Sequence, residues 1–114
     1  MSADCLFCKI AAQQIPAKIV FEDADVFAFA DINPQAPTHL LICPKLHFAS
    51  LAEAQASDQA VLGRMALVAA ELARERKLEG GYRTIVNTGA GAGQTVFHIH
   101  MHLLGGRMFH WPPG

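Results

Sequence analysis

Charge of one sign is what this sequence most plainly lacks: 9 Lys and Arg stand against 10 Asp and Glu, a formal net charge of −1. Without a basic field to neutralise a run of phosphates, binding to a nucleic-acid polymer is not expected, and a nucleotide partner would have to be small and held locally. No uninterrupted apolar run reaches the ~20 residues of a membrane-spanning helix, so no membrane partner is expected. The opening Met1-Ser-Ala-Asp-Cys5 has no basic stretch followed by an apolar one, so no secretory signal is expected either. Cysteine is limited to Cys5, Cys8 and Cys43, an odd number. That argues against a disulfide framework and for a reducing compartment, the cytoplasm. Residues 88–94 are rich in glycine, yet no Gly-Lys-Ser/Thr follows them, which excludes a Walker-type phosphate loop.

What remains is a chain of one-domain size, long enough for a single core. Its hydrophobic content of 52% leans apolar, as a buried subunit interface would make it.

The pattern that organises the rest is Gln94-Thr-Val-Phe-His-Ile-His-Met-His-Leu-Leu104. Apolar and polar residues alternate there, with Val, Ile and Phe among them, and the period of two predicts a strand. Side chains alternate across a strand, so His98, His100 and His102 are expected on one face and Ile99, Met101 and Leu103 on the other. Successive histidines would lie roughly 7 Å apart, close enough to share a phosphate-sized ligand. A single histidine in a strand is usually structural, and a His-rich stretch is more often a metal site than a nucleophile. Three on one face of a buried strand each need a partner, which marks this face as the active site.

Along the chain, residues 4–14 have the apolar spacing of a short helix with Asp4 as N-cap. The Cys5-x-x-Cys8 pair inside it fits half a zinc site, or two small apolar thiols simply packed. Strands are expected over 18–21 and 26–30, joined by the acidic turn 22–25. Phe27, Phe29 and Asp31 would share a face, and Asp31 is either a ribose-diol acceptor or, as spacing alone favours, a surface residue opening the next turn. Two prolines make 33–37 a loop. A short strand over 39–44 is led by His39 and followed by Lys45 and His47. Residues 51–79 read as a helix, with Val61, Met65, Val68 and Leu72 as its apolar stripe, Ser57 or Asp58 as cap, and Gly80-Gly81 as its stop. A strand over 82–87 then runs through the loop 88–94 into the triple-His strand. That loop is either only a loop or a row of N–H groups able to cradle phosphate oxygens. Trp111, four residues from the end, suggests a tail that docks. The order predicts an α+β fold with one long and one short helix and a five-stranded antiparallel sheet.

If a phosphorus atom sits above the histidines, an uncharged His100 can attack it in line, with its other ring nitrogen oriented by an acceptor. His98 and His102 would stabilise the equatorial charge. No metal is needed for that chemistry, and a P–N bond suits the site because a protonated amine leaves readily.

Ile15-Pro-Ala-Lys-Ile19, Phe21-Glu-Asp23, Pro34-Gln-Ala-Pro-Thr-His39, Gly81-Tyr-Arg83, Gly93-Gln94, the His98-x-His-x-His102-Leu-Leu run, Gly105-Gly-Arg107 and His110-Trp-Pro-Pro-Gly114 together carry a resemblance. The chain resembles the histidine triad proteins and, through its Trp-Pro-Pro-Gly end, their nucleotide-binding phosphoramidase branch. The resemblance implies a single histidine triad domain over 1–114, whose tail, about 105–114, reaches the partner of a homodimer. The two sheets of that dimer would join into one of ten strands. It implies hydrolysis of purine (adenosine or guanosine) nucleoside 5′-phosphoramidates, giving AMP or GMP and an amine through a covalent nucleotidyl-histidine. His100 would be the nucleophile, Asp31 would hold the ribose, and Phe7, Ile10, Phe29 and Ile32 would line the base pocket. Asn87, Gly93, Gln94 and Thr95, with His39, His98 and His102, would surround the phosphate, and Trp111 would help select substrate. Position 95 is Thr where the branch commonly has Ser. Similar bacterial members bind a structural zinc with such a cysteine pair and two histidines, which here implies Cys5, Cys8, His47 and His98, in competition with a phosphate role for His98. A dinucleoside polyphosphate hydrolase, a nucleotidyl transferase, and a nucleotide- or zinc-binding regulatory protein are the alternatives.

Overall fold

The computed structural model describes residues 4–114; residues 1–3, the start of the expected domain, lie outside them. Two helices, α1 (Leu6–Ala11) and α2 (Gln59–Glu75), accompany five strands: β1 (Ile19–Glu22), β2 (Val26–Ala30), β3 (Thr38–Pro44), β4 (Tyr82–Ile85) and β5 (Met101–Gly105). The strands form one sheet in the order β1-β2-β3-β5-β4, and every neighbouring pair is antiparallel. The expected α+β architecture is therefore the one observed.

The period of two along each strand divides the core between the two faces of the sheet. Val26, Ala28, Leu40, Ile42 and Leu103 project to one side, where the Met65, Val68, Leu72 stripe of α2 covers them. Phe27, Phe29, Leu41 and Cys43 project to the other, where the short α1 packs through Phe7, Cys8 and Ile10, with Ile15, Ala17 and Val96 beside it. The second face is thus partly uncovered, and His39 and His102 open onto it beside Leu41 by the registers Leu41↔His102 and His39↔Leu104. Among the described residues no helix is long and apolar enough to cross a membrane.

Several boundaries differ from expectation. The first helix is capped by Cys5, not Asp4: the Cys8 N–H donates to Cys5 Sγ at 3.3 Å. The long helix begins at Gln59, because 51–58 form two short 3₁₀ turns. Asp58 does stand at the cap position, yet its carboxylate turns back to accept the Gln55 N–H at 2.8 Å. The helix also stops at Glu75, well before Gly80-Gly81. Lys77 takes the left-handed conformation (φ 58°), its N–H donates to the Arg74 carbonyl, and the Leu78 N–H donates to that of Ala73. Those two bonds satisfy the last carbonyls of the helix without a glycine.

The largest difference lies in the triple-His segment. Strand β5 starts only at Met101, so His98 and His100 precede it. The backbone there has another partner, the Ile99 N–H donating to the Phe48 carbonyl at 2.9 Å. The three histidines consequently do not share one strand face.

Candidate active site

The uncovered face holds a cavity of about 580 Å³ between α1, the end of β2 and the segment before β5. His100, His102, Asp31 and Thr95 line it, together with Phe7, Ile10, Phe29 and Ile32. Eight of the residues expected to contact a nucleotide or its phosphate therefore meet in one place. Its apolar side is an aromatic corner. Phe7 stands edge-on to Phe29 with ring centroids 5.3 Å apart, and edge-on to His100 at 5.0 Å.

The protonation pattern of the histidines follows from their partners. His100 Nδ1 lies 2.8 Å from the backbone carbonyl of His98. A carbonyl only accepts, so Nδ1 carries the proton, and Nε2 of a neutral ring is left with a free lone pair. His39 is set in the opposite sense. Its Nδ1 accepts the Gln35 N–H at 3.0 Å, so its own proton sits on Nε2. That nitrogen lies 2.9 Å from His102 Nδ1 and 3.3 Å from Asp31 Oδ2. His102 Nδ1 then accepts, and its remaining proton is on Nε2. A chain of donors thus runs from Gln35 through His39 to His102, ending in an N–H available to a ligand. Asp31, His39 and His102 are close enough to suggest a metal set. The donor chain already satisfies these rings without one.

Burial keeps these rings uncharged. Desolvation is the largest influence on His39, His100 and His102, and it lowers all three from the ordinary histidine range, His102 to about 4. For His102 the neighbouring His100 and His39 add to the shift. Removing a ring from water penalises its cationic form. A neutral His100 is a nucleophile, whereas a protonated one is not.

His98 is turned away from the cavity. It is fully buried, its Nε2–H donates to the Pro44 carbonyl at 2.7 Å, and its Nδ1 faces Cys5 Sγ (3.3 Å), Cys8 Sγ (3.5 Å) and His47 Nδ1 (3.1 Å). Cys8 Sγ lies 3.4 Å from His47 Nδ1. The expectation that His98 flanks the phosphate on the same face as His100 does not hold in this geometry. Its ring belongs to the cysteine cluster, and its carbonyl meets the His100 ring.

Do these four residues fit zinc? A tetrahedral ion bonded at about 2.3 Å to sulfur and about 2.0–2.1 Å to nitrogen holds its ligand atoms about 3.3–3.8 Å apart. Four of the six separations, 3.1 to 3.5 Å, lie in or just below that range, and all four ligand atoms lie within 4.8 Å of one another. Both imidazoles turn Nδ1 toward two thiols that would ionise on a metal, so the donor set fits. With an ion bound, four protein ligands would close the coordination sphere and leave no position for substrate, the pattern of a structural site.

Other expected residues sit outside the cavity. The Gln94 side chain is buried and fully used: its Oε1 accepts the Gly89 N–H, and its Nε2 donates to the carbonyls of Ala49 (2.7 Å) and Val96 (3.1 Å). The loop spends its own donors too. The N–H groups of Ala92 and Gln94 go to the Gly89 carbonyl and that of Gly93 to Ala90, which corrects the expected row of free N–H groups. Gly93 is needed for its left-handed turn (φ 98°). Asn87 lines a separate hollow of about 320 Å³ with His39, His102, Arg83 and Arg107. Trp111 is 82% exposed at the end of the chain. In that tail Phe109 is held between the guanidiniums of Arg107 (4.3 Å) and Arg83 (5.2 Å). Gln35 and Pro44 were not singled out in the sequence. They act through main-chain groups, which residue type does not reveal.

Comparison with known proteins agrees with the geometry. The model of the HIT domain family matches residues 12–109. An uncharacterised HIT-like protein of Synechococcus elongatus is 52% identical over 114 residues, the whole of both chains. A 14 kDa zinc-binding protein of Zea mays is 49% identical over 111 residues, 96% of this chain and 87% of that one. Among solved structures, a HIT family hydrolase from Legionella pneumophila superposes with a TM-score of 0.96 at 53% identity, covering 97% of this chain and all of the other.

Proposed function

This chain belongs to the HIT domain family, and on that footing we propose that it hydrolyses purine nucleoside 5′-phosphoramidates to the nucleoside monophosphate and an amine. The observation that carries this reading is the setting of His100, whose Nδ1–H is held by the His98 carbonyl while its ring lines the cavity with His102 and Asp31.

In this reading Phe7, Ile10, Phe29 and Ile32 take the purine and Asp31 accepts from the ribose hydroxyls. One Asp31 oxygen already accepts the Asn33 N–H at 2.8 Å, and a carboxylate keeps further acceptor sites beyond that. The phosphoryl group then lies near Thr95, His100 and His102. His100 Nε2 attacks phosphorus as the P–N bond breaks, and the amine departs carrying a proton taken up from solvent. The His102 Nε2–H, set by the donor chain from Gln35 and His39, stabilises charge on the phosphoryl oxygens. Water next attacks phosphorus, breaks the P–N bond to His100 and loses a proton, giving the monophosphate and restoring the neutral ring. Gln94 and Gly93 keep the glycine loop in shape, and Asn87 lies beside the phosphate side of His102.

The proposal includes a homodimer in a reducing, cytoplasmic setting. Strand β4 lies at an edge of the sheet, where a second copy can pair with it to make ten strands. The exposed Trp111 would then reach the partner's site. Zinc held by Cys5, Cys8, His47 and His98 would support the fold and take no part in bond breaking.

The test is turnover of an adenosine 5′-phosphoramidate compared with that of a diadenosine polyphosphate. Faster P–N cleavage supports the proposal. Preference for the polyphosphate would move the assignment to another hydrolase of the family, and absence of both activities would favour a binding protein.

A further inference from the structure

We infer that metal loading of the Cys5, Cys8, His47 and His98 set controls how tightly the active-site cavity holds its nucleotide. The inference rests on the proposed reading of that cavity as a nucleotide site, and it adds a coupling between two sites.

The coupling begins in α1. At six residues this helix is too short to be stable alone and depends on what it packs against. Its cap Cys5 and its own Cys8 bracket Phe7, and Ile10 follows on the same stretch. Cys5 and Cys8 reach the histidines of the metal set, while Phe7 and Ile10 form the apolar wall of the cavity. Whatever fixes the cysteines therefore fixes the wall. The thiol–imidazole contacts of the set span 3.3 to 3.5 Å, and thiols are weak hydrogen-bond donors. A bound ion would add coordinate bonds, which are stronger than these contacts.

His98 provides a second link. The same residue offers Nδ1 to the metal set and its carbonyl to His100. Anchoring its ring between the set and the Pro44 carbonyl also anchors the acceptor that fixes the His100 tautomer.

The two sites also share a partition. A hollow of about 360 Å³ is lined by Cys5 and His47 of the metal set. Leu6, Thr95 and Val96 line both this hollow and the active-site cavity. The hollow gives an ion a route to its ligands, and the partition gives any movement at the metal a direct effect on Thr95.

The experiment uses the full chain, stripped with a chelator and then reloaded with zinc, and measures AMP binding by calorimetry in both states. The inference predicts AMP binding at least about tenfold tighter with zinc. By reciprocity, saturating AMP should raise zinc affinity by the same factor in a chelator competition. Amide exchange should slow over residues 6–11 on loading, a readout independent of turnover. His47→Asn provides a second route should the stripped chain unfold, since His47 does not line the nucleotide cavity. Its AMP affinity should be about tenfold weaker at low zinc and recover in excess zinc, which simple structural damage would not do. Equal AMP affinities with and without zinc, or failure of the chain to bind zinc, would overturn the coupling. Absence of AMP binding in every state would instead overturn the nucleotide reading beneath it.

Discussion

The His100 ring is held by the main chain of His98, two residues before it, through a 2.8 Å bond from Nδ1–H to the carbonyl. The arrangement determines which nitrogen of the His100 ring is free. It also separates the roles of two histidines that stand in the same sequence motif. One offers a ring to the cavity, and the other offers a carbonyl to its neighbour and a ring to the cysteines.

Ring tautomers give the first check. At neutral pH, nitrogen-resolved NMR of the imidazoles should show His100 protonated on Nδ1, and His39 and His102 protonated on Nε2. A His102 ring protonated on Nδ1 would break the donor chain from Gln35 and remove the N–H assigned to the phosphoryl oxygens.

Acid stability follows from the buried rings. His102 titrates at about 4 in the folded chain, against 6.5 for an unperturbed histidine, because burial disfavours its cation. Between those values the unfolded chain binds a proton that the folded chain refuses. Stability is therefore fully present above pH 6.5 and is lost as pH falls toward 4, by up to about 1.4 kcal/mol per unit for each such group. Thermal melts across that window should show the decline, and His102→Asn should make it shallower, with His39, His98 and His100 retaining their share. A melting temperature independent of pH between 6.5 and 4 would contradict the assignment.

The end of α2 yields a prediction unconnected with chemistry. Lys77 adopts φ 58°, a conformation that crowds any side chain. Lys77→Gly should stabilise the fold by about 0.5–1 kcal/mol, read as a higher denaturant midpoint with unchanged slope. A loss of stability would mean that Lys77 makes contacts worth more than the strain.

Residue patterns revealed much of this molecule. The alternation in 26–30 and 39–44 and the stripe through Val61, Met65, Val68 and Leu72 record burial, and burial is what the sheet and α2 share. The glycine-free stop at Lys77 was hidden, since Gly80-Gly81 is the stronger signal and Lys rarely adopts that backbone. The division of labour among His98, His100 and His102 was hidden for another reason. A period of two says which side chains alternate, but not where strand pairing starts, and here pairing starts at Met101. The groups that set the tautomers, the Gln35 N–H and the His98 carbonyl, belong to the backbone and carry no residue signature. The metal set draws on residues 5, 8, 47 and 98, so only the fold, or a resemblance to proteins that have it, brings them together.

The central claim is that His100 Nε2 forms a bond to phosphorus. The most direct measurement is rapid quench of the wild-type chain with an adenosine 5′-phosphoramidate, followed by mass analysis for an adenylyl group on the peptide containing His100. His100→Ala is followed in parallel, with AMP binding as a control for its fold. The account predicts adenylylation of His100 in the wild type, and in the variant none, with turnover lower by on the order of 10³ or more while AMP still binds. A variant that binds AMP and turns over substrate at the wild-type rate would contradict it.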